Sequence, residues 1–165
     1  MTIQQSWINY LKQLASEHKE IRHLDSKRER FSYNLKKHSQ QIFSNEKQIV
    51  LQHDDLSGSM RGHVDDLIPV LNAGFVVWVA FNNDSVKSEM DAFEKSFKIG
   101  SEILSRIIYD ASEGCSPFHA VNPSAISFRQ VGPESHNFCG YLIKFPLSLI
   151  DSDINIEHNP DQWQS

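Results

Sequence analysis

The feature that most constrains the fold is a short segment that is apolar on both of its faces. Residues 75–81 read Phe-Val-Val-Trp-Val-Ala-Phe, and alternate side chains of an extended chain point to opposite sides. Because both sets of side chains are apolar here, a strand of this sequence has to be covered on both faces. We therefore predict a central β-strand over Phe75–Phe81, covered by helices or by a second subunit.

Two segments have the three- and four-residue apolar spacing of an amphipathic helix. The first is predicted over residues 2–24, and the second from residue 86 to Tyr109 or Asp110, after a capping segment at residues 82–85. The first stripe consists of Ile3, Trp7, Leu11, Leu14, His18 and Ile21. The second consists of Val86, Met90, Phe93, Phe97, Gly100, Leu104 and Ile107, widened by Ile99, Ile103 and Ile108. A mid-helix glycine costs about 1 kcal/mol relative to alanine, so Gly100 indicates close approach by another element.

Shorter segments predict the rest of a sheet. Strands are predicted over residues 48–52, 64–71, 125–131 and 138–149, and the last two form a C-terminal antiparallel hairpin. Pro69 favours an edge position or a bulge for the strand that contains it. Turns or loops are predicted over residues 56–62, 72–74 and 132–137, which are rich in glycine, serine, asparagine or proline.

These elements together predict an α+β fold. We expect an N-terminal helix, a mostly antiparallel sheet of about four to six strands packed by one long helix, and a C-terminal β-hairpin. The chain has 165 residues, which suits one domain. We assign residues 1–150 to a single domain and residues 151–165 to an acidic C-terminal tail.

Composition excludes several classes of protein. With 39% hydrophobic and 22% charged residues the chain is not intrinsically disordered. No apolar run approaches the roughly 20 residues of a membrane-spanning helix, so we expect no membrane contact. The first residues lack the pattern of a secretory signal, and we therefore predict a cytoplasmic location, with Cys115 and Cys139 reduced.

The net charge of −5 conceals two opposite blocks. Residues 27–38 carry five basic residues against one acidic residue, a local charge of +4, and residues 151–165 carry four acidic residues and neither Lys nor Arg, a charge of −4. Both blocks also contain apolar side chains, which favours docking over free solvation. If they meet across subunits, the contact is head-to-tail and can close a ring. The predicted partner-binding residues are Lys27, Arg28, Arg30, Lys36, Lys37, Asp151, Asp153, Glu157 and Trp163.

Two clusters are considered for catalysis. His53, Asp55, His63 and Asp65 combine imidazole and carboxylate groups that suit a divalent transition metal, and they define an alternative function as a small metal-dependent hydrolase. The other interpretation of this cluster is a polar loop whose side chains serve the turn. Cys115 with His119, or Cys139 with His136, can be written as nucleophile and base, although a buried hydrophobic role is the competing interpretation. Phosphate-binding loops and nucleophile elbows have no counterpart in the sequence.

The basic block allows a second alternative function. Phe31 and Tyr33 lie among its Lys and Arg residues, and this combination can contact phosphates and stack on the bases of a single strand of nucleic acid. The acidic remainder of the chain disfavours duplex binding. The competing interpretation is a solvated face or an ion-pair surface between subunits.

The order of the elements resembles a known family. The closing stretch, with Asn122 to Phe128, then Val131-Gly132-Pro133, then Asn137 to Phe145, is similar to the final Gly-led strand of bacteriophage tail terminator and tail-completion (neck) proteins. The resemblance covers about the last 90 residues. It implies a hexameric ring that caps the tail tube and offers a surface to the head, with no catalytic residues.

From these observations we predict a non-enzymatic assembly protein that forms a homo-oligomeric ring. Its expected partners are copies of itself and other virion or tail-tube proteins, rather than nucleic acid. We expect no cofactor. The expected location is the host cytoplasm or an assembled virion or phage-like particle.

Overall fold

The computed structural model describes residues 3–21, 31–32, 49–54, 57–61, 68–114, 118–119, 125–134 and 137–149. Their helices are α1 (Ile3–Glu17) and α2 (Val86–Ser112). Their strands are β1 (Phe31–Ser32), β2 (Ile49–His53), β3 (Ser57–Arg61), β4 (Ile68–Ala80), β5 (Phe118–His119), β6 (Ser127–Glu134) and β7 (Phe138–Leu149). No helix among these residues is long and apolar enough to cross a membrane.

One sheet organises the fold. β4 is its central strand and pairs antiparallel with β7 from Val70 to Ala80. On the other side of β4, β2 and β3 follow one another along the same edge, both antiparallel to it. β5 and β6 occupy the remaining edge of β7, and the short β1 is parallel to β2. The strand segments thus build a mainly antiparallel sheet, and the predicted α+β class is confirmed.

The central strand is longer than predicted. The turn expected at residues 72–74 does not form, because β4 continues through it in register with β7, Ala73 opposite Phe145. Gly74 serves close packing instead: a Cβ there would lie 3.0 Å from the carbonyl oxygen of Ile143. The loop or hairpin tip predicted over residues 56–62 is also wrong, since residues 57–61 form β3. Pro69 is the second residue of β4 and precedes Val70, the first β4 residue that pairs with β7. It therefore lies at the start of the strand, where a proline is tolerated.

Both faces of β4 are buried, as predicted. On one face Phe75, Val77 and Val79 belong to the main core, which α1 and α2 cover. On the other face Val76 and Trp78 belong to a second cluster. The remaining buried members of that cluster are Val50, Phe138 and Leu142.

α1 is shorter than predicted but packs as expected. Trp7, Leu11 and Leu14 are buried in the core, yet the helix ends at Glu17 rather than at residue 24. The ring Nδ1 of His18 accepts the backbone N–H of Glu20 at 3.3 Å, which replaces a helical hydrogen bond with a local one. Residues 19–21 then form a turn, while the end of the predicted helix, residues 22–24, lies outside the described part of the chain.

α2 begins as predicted and packs differently. The Ser85 hydroxyl accepts the backbone N–H of Ser88 at 3.3 Å, an N-cap that satisfies one of the open donors of the first turn. The helix continues to Ser112, past the predicted end. Its buried residues are Ala92, Ser96, Ile99, Gly100, Ile103, Leu104, Ile107 and Asp110. The close approach expected at Gly100 is confirmed, since an added Cβ would lie 2.6 Å from Cδ1 of Ile143.

The C-terminal strands agree with the prediction in part. β6 and β7 pair antiparallel, with Phe128 opposite Ile143 and Val131 opposite Gly140. β6 starts later than the predicted strand and continues through residues 132–134, which were predicted to turn, with a register shift between Val131 and Glu134. Asn137 then adopts a positive φ of 61° immediately before β7, a conformation that asparagine tolerates.

Candidate interaction surface

The first half of α2 carries large apolar side chains that remain in solvent. Val86 is 76% exposed, Met90 is 60% exposed and Phe97 is 42% exposed. Together with Phe93 they follow the three- and four-residue spacing of one helix face. The sequence spacing placed these residues on the same apolar face as Ile107, which is buried, and their exposure was not predicted.

The reason lies in the presence of two apolar stripes on one helix. At about 100° per residue, the exposed stripe is rotated by roughly a quarter turn from the stripe that contains Ile99, Ile103 and Ile107. The second stripe, together with Ser96 and Gly100, lies against the sheet and is buried, whereas the first stripe lies at the border of the sheet and stays partly in solvent. Sequence spacing identified both stripes as apolar, but only contact with the sheet determines which of them is buried.

The exposed stripe continues onto the sheet through aromatic contacts. The centroid of the Phe97 ring lies 5.4 Å from that of Phe128 and 5.1 Å from that of Tyr141, both in edge-to-face arrangements. Phe93 also contacts Tyr141, at 6.0 Å. Phe128, on β6, is 45% exposed. We call Val86, Met90, Phe93, Phe97, Phe128 and Tyr141 the aromatic surface.

This surface borders an edge of the sheet. β6 pairs with β7 alone among the described strands, and its residues 127–130 are exposed. Phe128 and Gln130 pair with the β7 residues that face α2, and the Gln130 side-chain amide donates to the Tyr141 hydroxyl at 2.9 Å. An unpaired edge offers backbone donors and acceptors to another strand, and an exposed apolar patch beside it marks an interaction site.

A second feature is a groove of about 470 Å³ between the end of α1 and α2. Its lining residues are Leu14, Glu17, His18, Lys19, Glu20, Glu102, Ile103 and Arg106. His18 Nε2 donates to Glu102 at 3.0 Å, since its Nδ1 is already an acceptor, and Lys95 Nζ lies 2.9 Å from the Glu20 carboxylate. The hydrogen bond from Lys95 is the main cause of a lowered pKa for Glu20. The charges thus pair across the two helices, and the groove has the character of a helix–helix contact.

Beneath this contact lies a buried polar group. The Asp110 carboxylate accepts the Tyr10 hydroxyl at 2.8 Å and the Arg106 Nε at 2.6 Å. Burial, and then the hydrogen bond to Asp110, raise the pKa of Tyr10 well above its usual range. The tyrosine therefore stays protonated and serves as a donor that joins α1 to α2.

Cys139 does not have the properties of a catalytic thiol. Its side chain is a free, fully buried thiol, and the Sγ lies 3.7 Å from the backbone oxygen of Glu89. Burial, with a smaller contribution from the Glu89 charge, raises its pKa from 9.0 to about 12. A thiol that keeps its proton at neutral pH is a poor nucleophile, so the buried hydrophobic interpretation is favoured for this cysteine. Cys115 and His136 lie outside the described residues, and the side chain of His119 is also not described.

The proposed metal cluster is described at one member only. His53 is buried, and its Nδ1 donates to the backbone oxygen of Asp54 at 3.0 Å. The Asp54 carboxylate lies 2.7 Å from Lys144 Nζ. Asp55, His63 and Asp65 are outside the described residues. Within the described ranges no three His, Cys, Asp or Glu side chains are grouped as metal ligands.

The predicted partner-binding residues are not among those that the structure describes. Both charge blocks fall outside the described ranges, apart from the backbone of residues 31–32, which forms β1. The contact between residues 27–38 and residues 151–165 therefore stays a prediction. In their place the structure identifies the aromatic surface and the β6 edge.

Comparison with known proteins adds no functional information, so the function is inferred from this geometry. No protein-family model matches the chain. No curated protein matches it either.

Proposed function

We propose that this chain is a non-enzymatic assembly protein that forms a homo-oligomeric ring, similar to a phage tail terminator or neck component. The observation that carries the proposal is the aromatic surface of α2, β6 and β7, beside a sheet edge that no other described strand covers. Its expected partners are further copies of the chain and other virion or tail-tube proteins. Its expected location is the host cytoplasm or an assembled particle.

The size of the exposed apolar area supports an interaction role. The exposed fractions of Val86, Met90, Phe97 and Phe128 correspond to about 400 Å² of apolar side-chain surface, taking roughly 150–200 Å² for each full side chain. The largest apolar patch on a typical monomer is of this size and is often functional. Burial against another protein would remove this area from water, which favours association.

Ring closure needs a head-to-tail contact, and the two charge blocks are suited to it. The +4 segment at residues 27–38 and the −4 segment at residues 151–165 attract one another. When such a contact joins different subunits, each subunit uses two different surfaces, and the series can close into a ring. Residues 151–165 also contain Trp163, an aromatic side chain that favours burial at an interface.

The two alternative functions stay predictions that no described residue favours. The hydrolase alternative rests on His53, Asp55, His63 and Asp65, of which His53 alone is described. The single-stranded nucleic-acid alternative rests on the basic block at residues 27–38. Stoichiometric metal in the purified protein would support the first, and salt-sensitive binding of an oligonucleotide would support the second.

Light scattering coupled to size-exclusion chromatography tests the proposal over a range of concentrations. We expect the wild type to elute as an oligomer and Phe97→Asp to shift it toward smaller species. Ser105→Asp is the matched control, because it adds the same charge at an exposed position of α2 outside the aromatic surface. A wild type that stays monomeric at about 100 μM, well above a micromolar Kd, would contradict the proposal.

A second experiment addresses the ring contact itself. Deletion of residues 151–165 is expected to reduce the oligomer while leaving the thermal unfolding of the monomer almost unchanged. Replacement of Asp151, Asp153, Glu157 and Asp161 by asparagine and glutamine is the charge-only version, and high salt should reproduce its effect. If the truncated chain unfolds instead, the tail belongs to the core of the monomer and does not form the ring contact.

A further inference from the structure

We propose that β6 is a self-pairing edge, through which two copies of this chain associate about a two-fold axis that passes beside Phe128. The inference rests on the proposed self-assembly and specifies one of its contacts. It follows from the edge of β6, which pairs with no second strand among the described residues, from the charge at Arg129 and from the position of Phe97.

The edge is available to a strand of the same sequence. Residues 127–131 of β6 pair with β7 on one side, and on the other side the described residues place no strand. An antiparallel strand pair is self-complementary, because a two-fold axis between the strands exchanges their donors and acceptors. A second copy of β6 can therefore continue the sheet across the axis.

Charge and backbone chemistry disfavour two of the registers in the middle of β6. In a pair with its two-fold axis perpendicular to the sheet, one residue lies opposite itself. A register centred on Arg129 would place two guanidinium groups directly opposite each other, which destabilises a strand pair. A register centred on Gln130 would extend pairing into the irregular segment at residues 131–134, where Pro133 has no N–H to donate.

The register centred on Phe128 avoids both conflicts. It places the two Phe128 side chains opposite each other, and it places Arg129 of one copy opposite Ser127 of the other. Because the axis is perpendicular to the sheet, both α2 helices stay on the same face. The rings of Phe97 and Phe128, 5.4 Å apart within each copy, would then meet their equivalents across the axis.

The aromatic surface supplies part of the area that a specific dimer needs. Its exposed side chains amount to about 400 Å² in each copy, an upper bound of about 800 Å² in total. The paired strand backbones and their flanking side chains add to this area. The sum approaches the lower end of the roughly 1,200–2,000 Å² found in stable interfaces.

This contact differs from the one that closes a ring. A two-fold contact uses the same surface on both subunits and is complete with two copies. A head-to-tail contact through the charge blocks uses two different surfaces. In the dihedral arrangement, in which the two-fold axes are perpendicular to the ring axis, two rings are joined face to face through β6, and loss of the β6 contact leaves single rings.

Disulfide trapping in the full-length chain tests the register. Phe128→Cys places two thiols directly opposite, where the Cα atoms of an antiparallel strand pair lie roughly 4.5–5.5 Å apart, within disulfide range. Arg129→Cys is the matched control, because its Cα atoms would be separated by about 8 Å and its side chains lie on the other face. Both variants also carry Cys115→Ser, so that the buried Cys139 is the one natural cysteine left. The protein with Cys115→Ser alone measures any crosslinking that Cys139 causes.

We expect Phe128→Cys to form a covalent dimer at least 10-fold faster than Arg129→Cys under mild oxidation, with the parent remaining uncrosslinked. Sedimentation of Phe128→Asp, which needs no cysteine, should show the assembly reduced to half its wild-type mass. Equal crosslinking rates, or an unchanged mass for Phe128→Asp, would overturn the inference.

The outcomes separate this inference from the proposed function. An oligomeric wild type that is insensitive to both Phe128 variants leaves the ring proposal standing and removes the β6 contact. A wild type that is monomeric at every concentration removes both. If deletion of residues 151–165 is required before Phe128→Cys crosslinks, the tail and not a second copy occupies this surface in the intact chain, and the inference is overturned.

Discussion

Two faces of α2 have similar apolar spacing and opposite surroundings. On one face, Ile99, Ile103 and Ile107 pack on the sheet and are buried. On the other face, Val86 and Met90 are mostly exposed, although their spacing is just as regular. The comparison shows that an apolar stripe identifies surface that avoids water, and that the partner of this surface can be the sheet of the same chain or another molecule.

The two regions also differ in how polar groups are handled. Ser96 is buried between α2 and the sheet, where its hydroxyl donates to the Val77 oxygen at 2.6 Å and accepts the Tyr141 N–H at 2.8 Å. At the aromatic surface, the Gln130 side-chain amide donates to the Tyr141 hydroxyl at an exposed position. The buried face of α2 is therefore held to the sheet by a buried hydroxyl bridge as well as by apolar packing, whereas the exposed face is apolar surface in solvent. Four predictions test this difference.

The largest effect is expected from the buried stripe. Ile103→Ala should lower the free energy of unfolding by about 3 kcal/mol, because it removes a buried side chain and leaves a cavity against the sheet. Urea denaturation followed by circular dichroism measures this change. Ile103→Val, which removes one methyl group, should cost about 1 kcal/mol. A loss below 1 kcal/mol for the alanine variant would contradict the packing of this helix face.

The next effect concerns the hydroxyl between helix and sheet. Ser96→Ala should cost about 2 kcal/mol, because the Val77 carbonyl and the Tyr141 amide both lose a buried partner. The same denaturation experiment applies. Ser105→Ala, at an exposed position of the same helix, is the control and should change stability by less than about 0.5 kcal/mol. Equal effects of the two substitutions would show that the Ser96 bridge is not required.

A smaller effect is expected from the titration of Cys139. Its pKa is raised from 9.0 to about 12, so in alkaline solution the unfolded chain loses the thiol proton before the folded chain does. The folded state then binds more protons, and stability falls as pH rises from the unfolded value toward the folded one. Between pH 8 and pH 10 this loss should be about 1 kcal/mol.

Cys139→Ala isolates this contribution. The variant should be less stable at pH 8 because of the lost side chain, but its stability should fall less steeply toward pH 10 than that of the wild type. Denaturant midpoints at several pH values measure the two slopes. Parallel slopes would mean that Cys139 does not experience the burial that the structure shows.

The smallest effect is expected from the exposed stripe. Met90→Ala should change the free energy of unfolding of the monomer by less than about 0.5 kcal/mol, because Met90 is 60% exposed. The measurement is made at a concentration low enough to prevent association. The same substitution should weaken self-association at high concentration, as judged by sedimentation. A loss of monomer stability comparable to that of Ile103→Ala would show that both apolar faces of α2 lie against a core.

Local sequence signals predicted the elements whose causes are local. The capping residue Ser85, the start of β7 at Phe138 and the burial of both faces of Phe75–Phe81 all follow from residue type and spacing. The glycine-containing segments at 56–62 and 72–74 were wrongly predicted as loop and turn. In both, strand pairing with a distant segment outweighs the local preference, and at Gly74 the glycine accommodates the close β7 backbone.

The aromatic surface could not be predicted from these local signals. The α2 residues of the aromatic surface were predicted to lie on one apolar helix face together with residues that are buried in the structure, and Phe128 was not singled out as an interaction residue. Its recognition requires the contacts of Phe97 with both β6 and β7, which join residues far apart in the chain. The sequence did contain one sign of a second surface: α2 has two apolar stripes, rotated from each other by roughly a quarter turn, and a single sheet need not cover both.

The sequence by itself determined that this chain forms an α+β protein around a strand with two apolar faces, because side-chain alternation and helical spacing are properties of neighbouring residues. Only the tertiary structure decided which stripe of α2 lies on the sheet and which stays at the β6 edge. The physical reason is that burial depends on the partner surface: the sheet accepts a helix at Gly100 and Ser96, where the chains approach closely, and leaves the larger side chains of the neighbouring stripe outside.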